Sequence, residues 1–297
     1  MRKLKPSDID TFEFIQKVIN KTHKRKSEDI SQSKSKKTYK ERCFAIASKY
    51  KNEIETYDHK FLDNHLEDIV NLHPLISNDE KQDYRSLYKY DAALIKQLRL
   101  EILTTNGFIN EKCPLCDVNN VQTMDHYIPQ AKFPLYSISP KNLIPSCTTC
   151  NVSKSENVLE GSRRRYWNVY LDEIPNEKYL YCTLSIQNGL LKAIFDIQQN
   201  NIDDTTFRLL KNTMEDQKIL QTYSAGLGSV IEELSSCIQR MMQYDSTQTI
   251  DNVFSSLRDC FAPFSKSNKW DEVLKFELVK SKDFKLMMEN ELKRLNK

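Results

Sequence analysis

Apolar residues recur along this chain with two periods, and each predicts a different element. From Ser7 to Asn20, Ile9, Phe12, Ile15, Val18 and Ile19 fall at helical spacing behind a Ser7 cap. The helical pattern returns from Arg42 to Asn106, broken at Leu72-His73-Pro74. There Leu87, Leu94, Leu98 and Ile102 share a face with Ile95 beside them, and Gly107 is placed to end that helix. Strand-like runs at Tyr179–Ile186 and Leu190–Ile197 flank Asn188-Gly189, the strongest short hairpin signal. Beyond them Leu227, Val230, Ile231, Leu234, Ile238 and Met241 form one amphipathic stripe, and Phe284, Met288, Leu292 and Leu295 another. Such stripes read as packing faces. The expected fold is mainly α with a small α+β core, and no internal repeat is visible.

Two stretches depart from both periods. Residues 21–42 hold nine Lys/Arg against three acids and almost no apolar residues. They read either as a solvated linker or as an arm facing nucleic acid. The other stretch, 113–160, carries the chemistry. The expected organisation is a basic, mostly helical region over 1–106, a core over 107–170, and a hairpin followed by helices over 171–297.

The 297 residues bury enough surface to fold without staples. The apolar fraction is 39 % even with tyrosine counted, below the usual ~45–50 %. Charged residues make up 29 % with a net charge of +3, as in a soluble globule. No run approaches the ~18–20 apolar residues of a membrane span, and the opening MRKLKPSDID carries no signal-like apolar stretch. A cytoplasmic location is expected. Only five glycines are present, and none forms a P-loop or a dinucleotide fingerprint, which excludes both chemistries.

Four of the eight cysteines stand in two identical clips, Cys113-Pro-Leu-Cys116 and Cys147-Thr-Thr-Cys150. Two such clips supply four thiolates to one tetrahedral Zn²⁺; the rival is a pair of redox clips, disfavoured by their sharing one short segment. Cys43, Cys182, Cys237 and Cys260 are scattered and read as small apolar residues. The 30 residues between the clips exceed the ~15–20 of a simple zinc ribbon, so something is inserted. The insert holds Asp125-His126-Tyr127-Ile128-Pro129, Phe133-Pro134 and Asn142-Leu143-Ile144-Pro145, and Asn151-Val152-Ser153-Lys154 follows the last cysteine. His23, His59, His65 and His73 lack ligand spacing.

In these residues, taken together and in order, the segment 113–157 resembles the HNH endonuclease family in its four-cysteine zinc subtype, whose core is a ββα-metal module. The resemblance implies a first strand carrying Asp125-His126, a second beginning near Asn142, and a helix opening at the final clip. It implies His126 as general base, Asp125 and Asn151 as ligands of a catalytic Mg²⁺ or Mn²⁺, and Asn142 as the residue that pins the loop and orients the histidine. The four-cysteine Zn²⁺ is then structural. The family's Gly-Gly turn between the strands is replaced here by Phe133-Pro134 and a longer linker.

The chemistry suits such residues: an imidazole near pKa 6.5 can take a proton from water, and a hard cation on oxygen ligands leaves positions open for phosphate. Lys154, at i+3 from Asn151, is expected to face the same site and touch phosphate. The run Arg163-Arg164-Arg165-Tyr166-Trp167 is expected to hold the nucleic-acid backbone, against the reading of a solvated face with aromatic anchors. The expected function is DNA phosphodiester hydrolysis. The alternatives are RNA cleavage and a non-catalytic zinc-ribbon subunit that binds nucleic acid or docks a partner. A basic helical N-terminal region and a long C-terminal extension look like the stand-alone HNH proteins of bacterial defence, where in Septu-type systems such a protein works with an ATPase subunit.

Overall fold

The computed structural model describes residues 1–22, 37–71, 76–89, 91–244 and 247–295. The middle of the basic stretch, the Leu72-His73-Pro74 break, His23 and His73 lie outside the described residues. The chain divides into two compact units, Arg2–Ile174 and Pro175–Lys297 together with Met1.

The first unit opens with helices α1 (Thr11–Lys21), α2 (Tyr39–Lys49), α3 (Lys51–Leu62), α4 (Glu67–Asn71), α5 (Asn78–Arg85) and α6 (Ala93–Leu103). The first cap differs from the expectation. Asp10, not Ser7, accepts the Glu13 N–H at 2.8 Å, so α1 starts three residues later. Its buried side is Phe14, Ile15, Val18 and Ile19. The α6 helix stops at Leu103, before Gly107, and Leu87 precedes it. Asn106 and Gly107, with φ of 49° and 83°, instead turn a short hairpin of β1 (Thr104–Thr105) and β2 (Phe108–Ile109). Positive φ at both central residues is what a type I′ turn needs, and Asn-Gly supplies it.

Next come β3 (Thr123–His126), antiparallel to β4 (Leu143–Ser146) in the register Asp125↔Ile144 and His126↔Leu143, then α7 (Thr148–Ser153). The ladder β5 (Leu159–Glu160) with β6 (Arg163–Arg164) follows. Contacts join residues 1–106 to 107–170 within the one compact unit Arg2–Ile174. Tyr57 of α3 donates to the Asn142 side chain, Lys141 pairs with Asp58 at 2.9 Å, and the Leu4 N–H donates to the Val169 carbonyl. A hairpin as short as β3–β4 needs helices to cover it.

The second unit begins with the hairpin β7 (Leu180–Gln187) and β8 (Leu190–Ile197), in register from Gln187↔Leu190 to Leu180↔Ile197. Asn188 and Gly189 make its turn at φ 52° and 75°. Helices α8 (Asp204–Asp216), α9 (Ile219–Ala225), α10 (Leu227–Tyr244), α11 (Ile250–Phe261), α12 (Trp270–Lys280) and α13 (Lys282–Leu295) complete it. Val230, Leu234 and Ile238 of α10 and Phe284 and Met288 of α13 are buried, so both stripes are packing faces. Among the described residues no helix is long and apolar enough to cross a membrane.

Candidate functional site

The four clip sulfurs lie within 4.8 Å of one another, and all four cysteines are buried. Cys147 sits at the N-cap of α7, where its sulfur accepts the Cys150 N–H at 3.5 Å. The Asn119 amide donates to the same sulfur. A Zn–S length of about 2.3 Å puts tetrahedral sulfurs about 3.8 Å apart, and Cys116 and Cys147 are 3.9 Å apart. The cluster fits a tetrahedral, sulfur-bound ion. Sulfurs this close share protons, so hydrogen bonds from neighbouring sulfurs pull the Cys147 thiol far down and push the Cys150 thiol far up. Of the other cysteines, Cys43 and Cys182 are buried, whereas Cys237 and Cys260 are exposed, contrary to an apolar role for all four.

A ββα unit lies beside this cluster: β3 and β4 pair, and α7 starts at the second clip. Asp125 and His126 end β3 and are both buried. The His126 Nε2 stands 2.8 Å from the Ser137 carbonyl oxygen. A carbonyl only accepts, so Nε2 carries the proton and Nδ1 keeps the lone pair. The Tyr88 ring meets the imidazole edge-on at 4.6 Å between centroids. Burial pulls the imidazole down to about 4, against the opposing effect of the Ser137 carbonyl, so the ring is neutral at pH 7.

Asn142 explains why Ser137 is where it is. Its Oδ1 accepts the Ile128 N–H at 2.7 Å, and its Nδ2 donates to the carbonyls of Ile128 (3.1 Å) and Tyr136 (3.0 Å). The start and the middle of the loop between the strands are thereby tied to one side chain at its end, and Tyr57 donates to its Oδ1 from α3. Within that loop Pro134–Tyr136 form a 3₁₀ turn. Proline at the first helical position suits such a turn.

Lys154 faces the same site, as expected, but its ammonium is already occupied there. Its ammonium points inward, donating to Asp125 Oδ2 (2.8 Å), the His126 carbonyl (2.8 Å) and the Tyr127 carbonyl (3.0 Å). Its side chain is only 5 % exposed and that of Asp125 9 %. The carboxylate and two carbonyls outcompete solvent for the ammonium, so Lys154 is not free to meet phosphate. Asn151 lies on α7 and donates to Thr123 Oγ1 at 3.3 Å. Thr123 and Asp125, two apart on β3, share a strand face. The oxygens that converge here, from Asp125 and the His126 and Tyr127 carbonyls, do so on the Lys154 ammonium, while Asn151 reaches Thr123 through its Nδ2.

The arginine run is divided. Arg164 forms a two-pronged pair with Asp172 at 2.8 and 3.1 Å and is largely buried. Tyr166 and Trp167 are buried, the Tyr127 hydroxyl donating to the Tyr166 carbonyl at 2.7 Å. Arg163 is exposed, and Arg165 lies over the Tyr166 ring. Of the three arginines, Arg163 alone is exposed. Ser137, Tyr57 and Tyr88 carry no motif in the sequence, and the fold alone brings them to the site.

No family model matches the chain, and no solved structure matches it. The chain is similar to Protein ea31 of Escherichia phage lambda, 27 % identical over 198 residues. That match spans 62 % of this chain and 66 % of the relative, just under two thirds of its length.

Proposed function

We propose that the chain is a metal-dependent endonuclease that hydrolyses DNA phosphodiester bonds, built on an HNH-type ββα module with a structural Zn²⁺. The observation that carries this reading is the fixed tautomer of His126. A buried imidazole locked with Nε2–H on the Ser137 carbonyl keeps Nδ1 unprotonated at neutral pH, and Nδ1 is the atom that would accept a proton. An imidazole serving only as packing needs no carboxylate next to it in sequence and no amide clamp on its loop.

His126 takes the proton of the attacking water, a contribution of about 10²–10⁴-fold. Asn142 keeps the Ser137 carbonyl in place, so the ring holds both its orientation and its tautomer. Asp125 and Asn151 are the residues that would hold Mg²⁺ or Mn²⁺, which when bound supplies positive charge to the phosphoryl oxygens. Asp125 would share its Oδ2 with Lys154, whose ammonium also holds the His126 and Tyr127 carbonyls. The four cysteines tie the entry of β3 to the start of α7. With no P-loop in the chain, ATP control would come from a separate ATPase subunit, as the resemblance to defence nucleases implies.

A second reading, a non-catalytic zinc-ribbon subunit, draws on the Asp125–Lys154 pair, which leaves the carboxylate already compensated. Supercoiled plasmid with Mg²⁺ or Mn²⁺ separates the two. Nicking by the wild type, abolished by chelator and reduced at least 10²-fold in His126→Ala at unchanged zinc content, is the expected result. Equal nicking by His126→Ala, or none by the wild type, overturns the nuclease reading.

A further inference from the structure

With Lys154 turned onto Asp125 and Arg164 onto Asp172, the substrate needs cations from elsewhere. Helix α5 supplies them. Its sequence holds Asp79, Glu80, Lys81, Asp83 and Arg85, net negative, yet folding sorts these charges by face. Asp83 takes a two-pronged contact from Arg42 of α2 at 2.6 and 3.0 Å, and Glu80 pairs with Lys49 at 2.8 Å. Lys81 and Arg85 stand one turn apart. Among the described residues neither side chain makes an ion pair or hydrogen bond. Both line an open cleft of about 570 Å³ with Asn78, Gln82, Tyr88 and Gln130.

This cleft adjoins the candidate base. Tyr88, one of its walls, is the ring that meets His126, and its hydroxyl is tied to the Met124 carbonyl of β3. Resting on the nuclease reading, we propose that the α5 cleft binds the DNA backbone flanking the scissile phosphate, with Lys81 and Arg85 on neighbouring phosphates. A separation of four residues is a rise of about 6 Å, of the order of the step between successive phosphates along a strand. The amides of Asn78, Gln82 and Gln130 have donors for phosphate and sugar oxygens. Tyr88 is held by its hydroxyl and packed on His126, so it offers no free stacking platform. The cleft therefore grips backbone without reading bases, and sequence preference is low.

The test separates binding from cutting. Full-length His126→Ala is titrated against a labelled DNA duplex over a range of salt, with and without Lys81→Ala/Arg85→Ala. Losing two phosphate contacts weakens binding about 10- to 30-fold near ~0.15 M salt and makes the salt slope shallower by roughly 1.8. Both side chains lie at the surface without partners, and unchanged melting and zinc content verify that the fold is intact. Unchanged affinity and slope overturn the cleft while leaving plasmid nicking by the wild type to decide the nuclease reading on its own. A loss seen with the matching RNA but not with DNA overturns it in favour of an RNA groove. Failure of His126→Ala to bind either nucleic acid overturns it as well.

Discussion

The two units of this chain bury different kinds of side chain. In Pro175–Lys297 the buried polar residues among those described are Thr213, Gln217 and Ser235, in helices or at a helix end. Thr213 donates to the Leu209 carbonyl of its own helix, a local bond that any helix offers. In Arg2–Ile174 an aspartate, a histidine and an asparagine are buried together, and their partners come from Ser137, Tyr136, Ile128, Lys154 and Tyr57. Burying such groups costs several kcal/mol unless every one is bonded, and each of these three is bonded to a partner distant in sequence. The second unit rests on apolar stripes and a tight hairpin; the first holds its site with a sulfur cluster and a polar clamp.

Metal removal gives the sharpest test of this contrast. In the full chain, Cys147→Ser is expected to lose stoichiometric zinc and with it the cooperative unfolding of Arg2–Ile174. The transition of Pro175–Lys297 should remain. Structural zinc is worth about 10–16 kcal/mol in small peptides, so the effect should dominate every other substitution. Elemental analysis with calorimetry reads both outcomes; a wild type that purifies metal-free and ignores chelator would remove the clamp from the account.

A smaller difference should separate two polar truncations. Asn142→Ala leaves the Ile128 N–H and the carbonyls of Ile128 and Tyr136 unpaired and should cost about 3 kcal/mol. Thr213→Val removes one intrahelical bond at nearly constant volume and should cost less than about 1 kcal/mol. Urea unfolding of each decides it, and equal losses would break the comparison.

The smallest effect is one of pH. The His126 imidazole is held at about 4 in the folded chain and near 6.5 when unfolded. As pH falls below 6.5 the unfolded chain binds a proton that the folded chain excludes. Stability is therefore lost between about pH 6.5 and 4, and nothing is contributed above. Relative to His126→Gln, the wild type should lose roughly 1 kcal/mol between pH 7.5 and 5.5. A parallel pH dependence in the two proteins would mean the ring is not buried neutral.

Much of this was legible one residue at a time. The Asn188-Gly189 hairpin follows from a dipeptide whose φ preferences admit one turn, and the stripes on α10 and α13 follow from helical period. The two cysteine clips announced a four-sulfur centre because ligand spacing is local. Asn106-Gly107 held the same hairpin signal, but the helical stripe before it suggested a helix end. The ion pairs of Lys154 and Arg164 were not legible for one reason: a cation's partner can lie far along the chain or across a turn, and charge alone does not say whether it faces water.

The local chemistry was thus set by order along the chain: which residues turn, which repeat on a helix face, which thiolates reach a common ion. Only the tertiary structure decided which polar groups meet. It brought Tyr57 to Asn142, the Ser137 carbonyl to His126, Lys154 to Asp125, and set Lys81 and Arg85 on a cleft walled by the Tyr88 ring that meets His126. Periodicity is a property of neighbours a few residues apart, whereas the partner of a buried charge is chosen by desolvation, which acts on whatever the folded chain brings within about 3 Å.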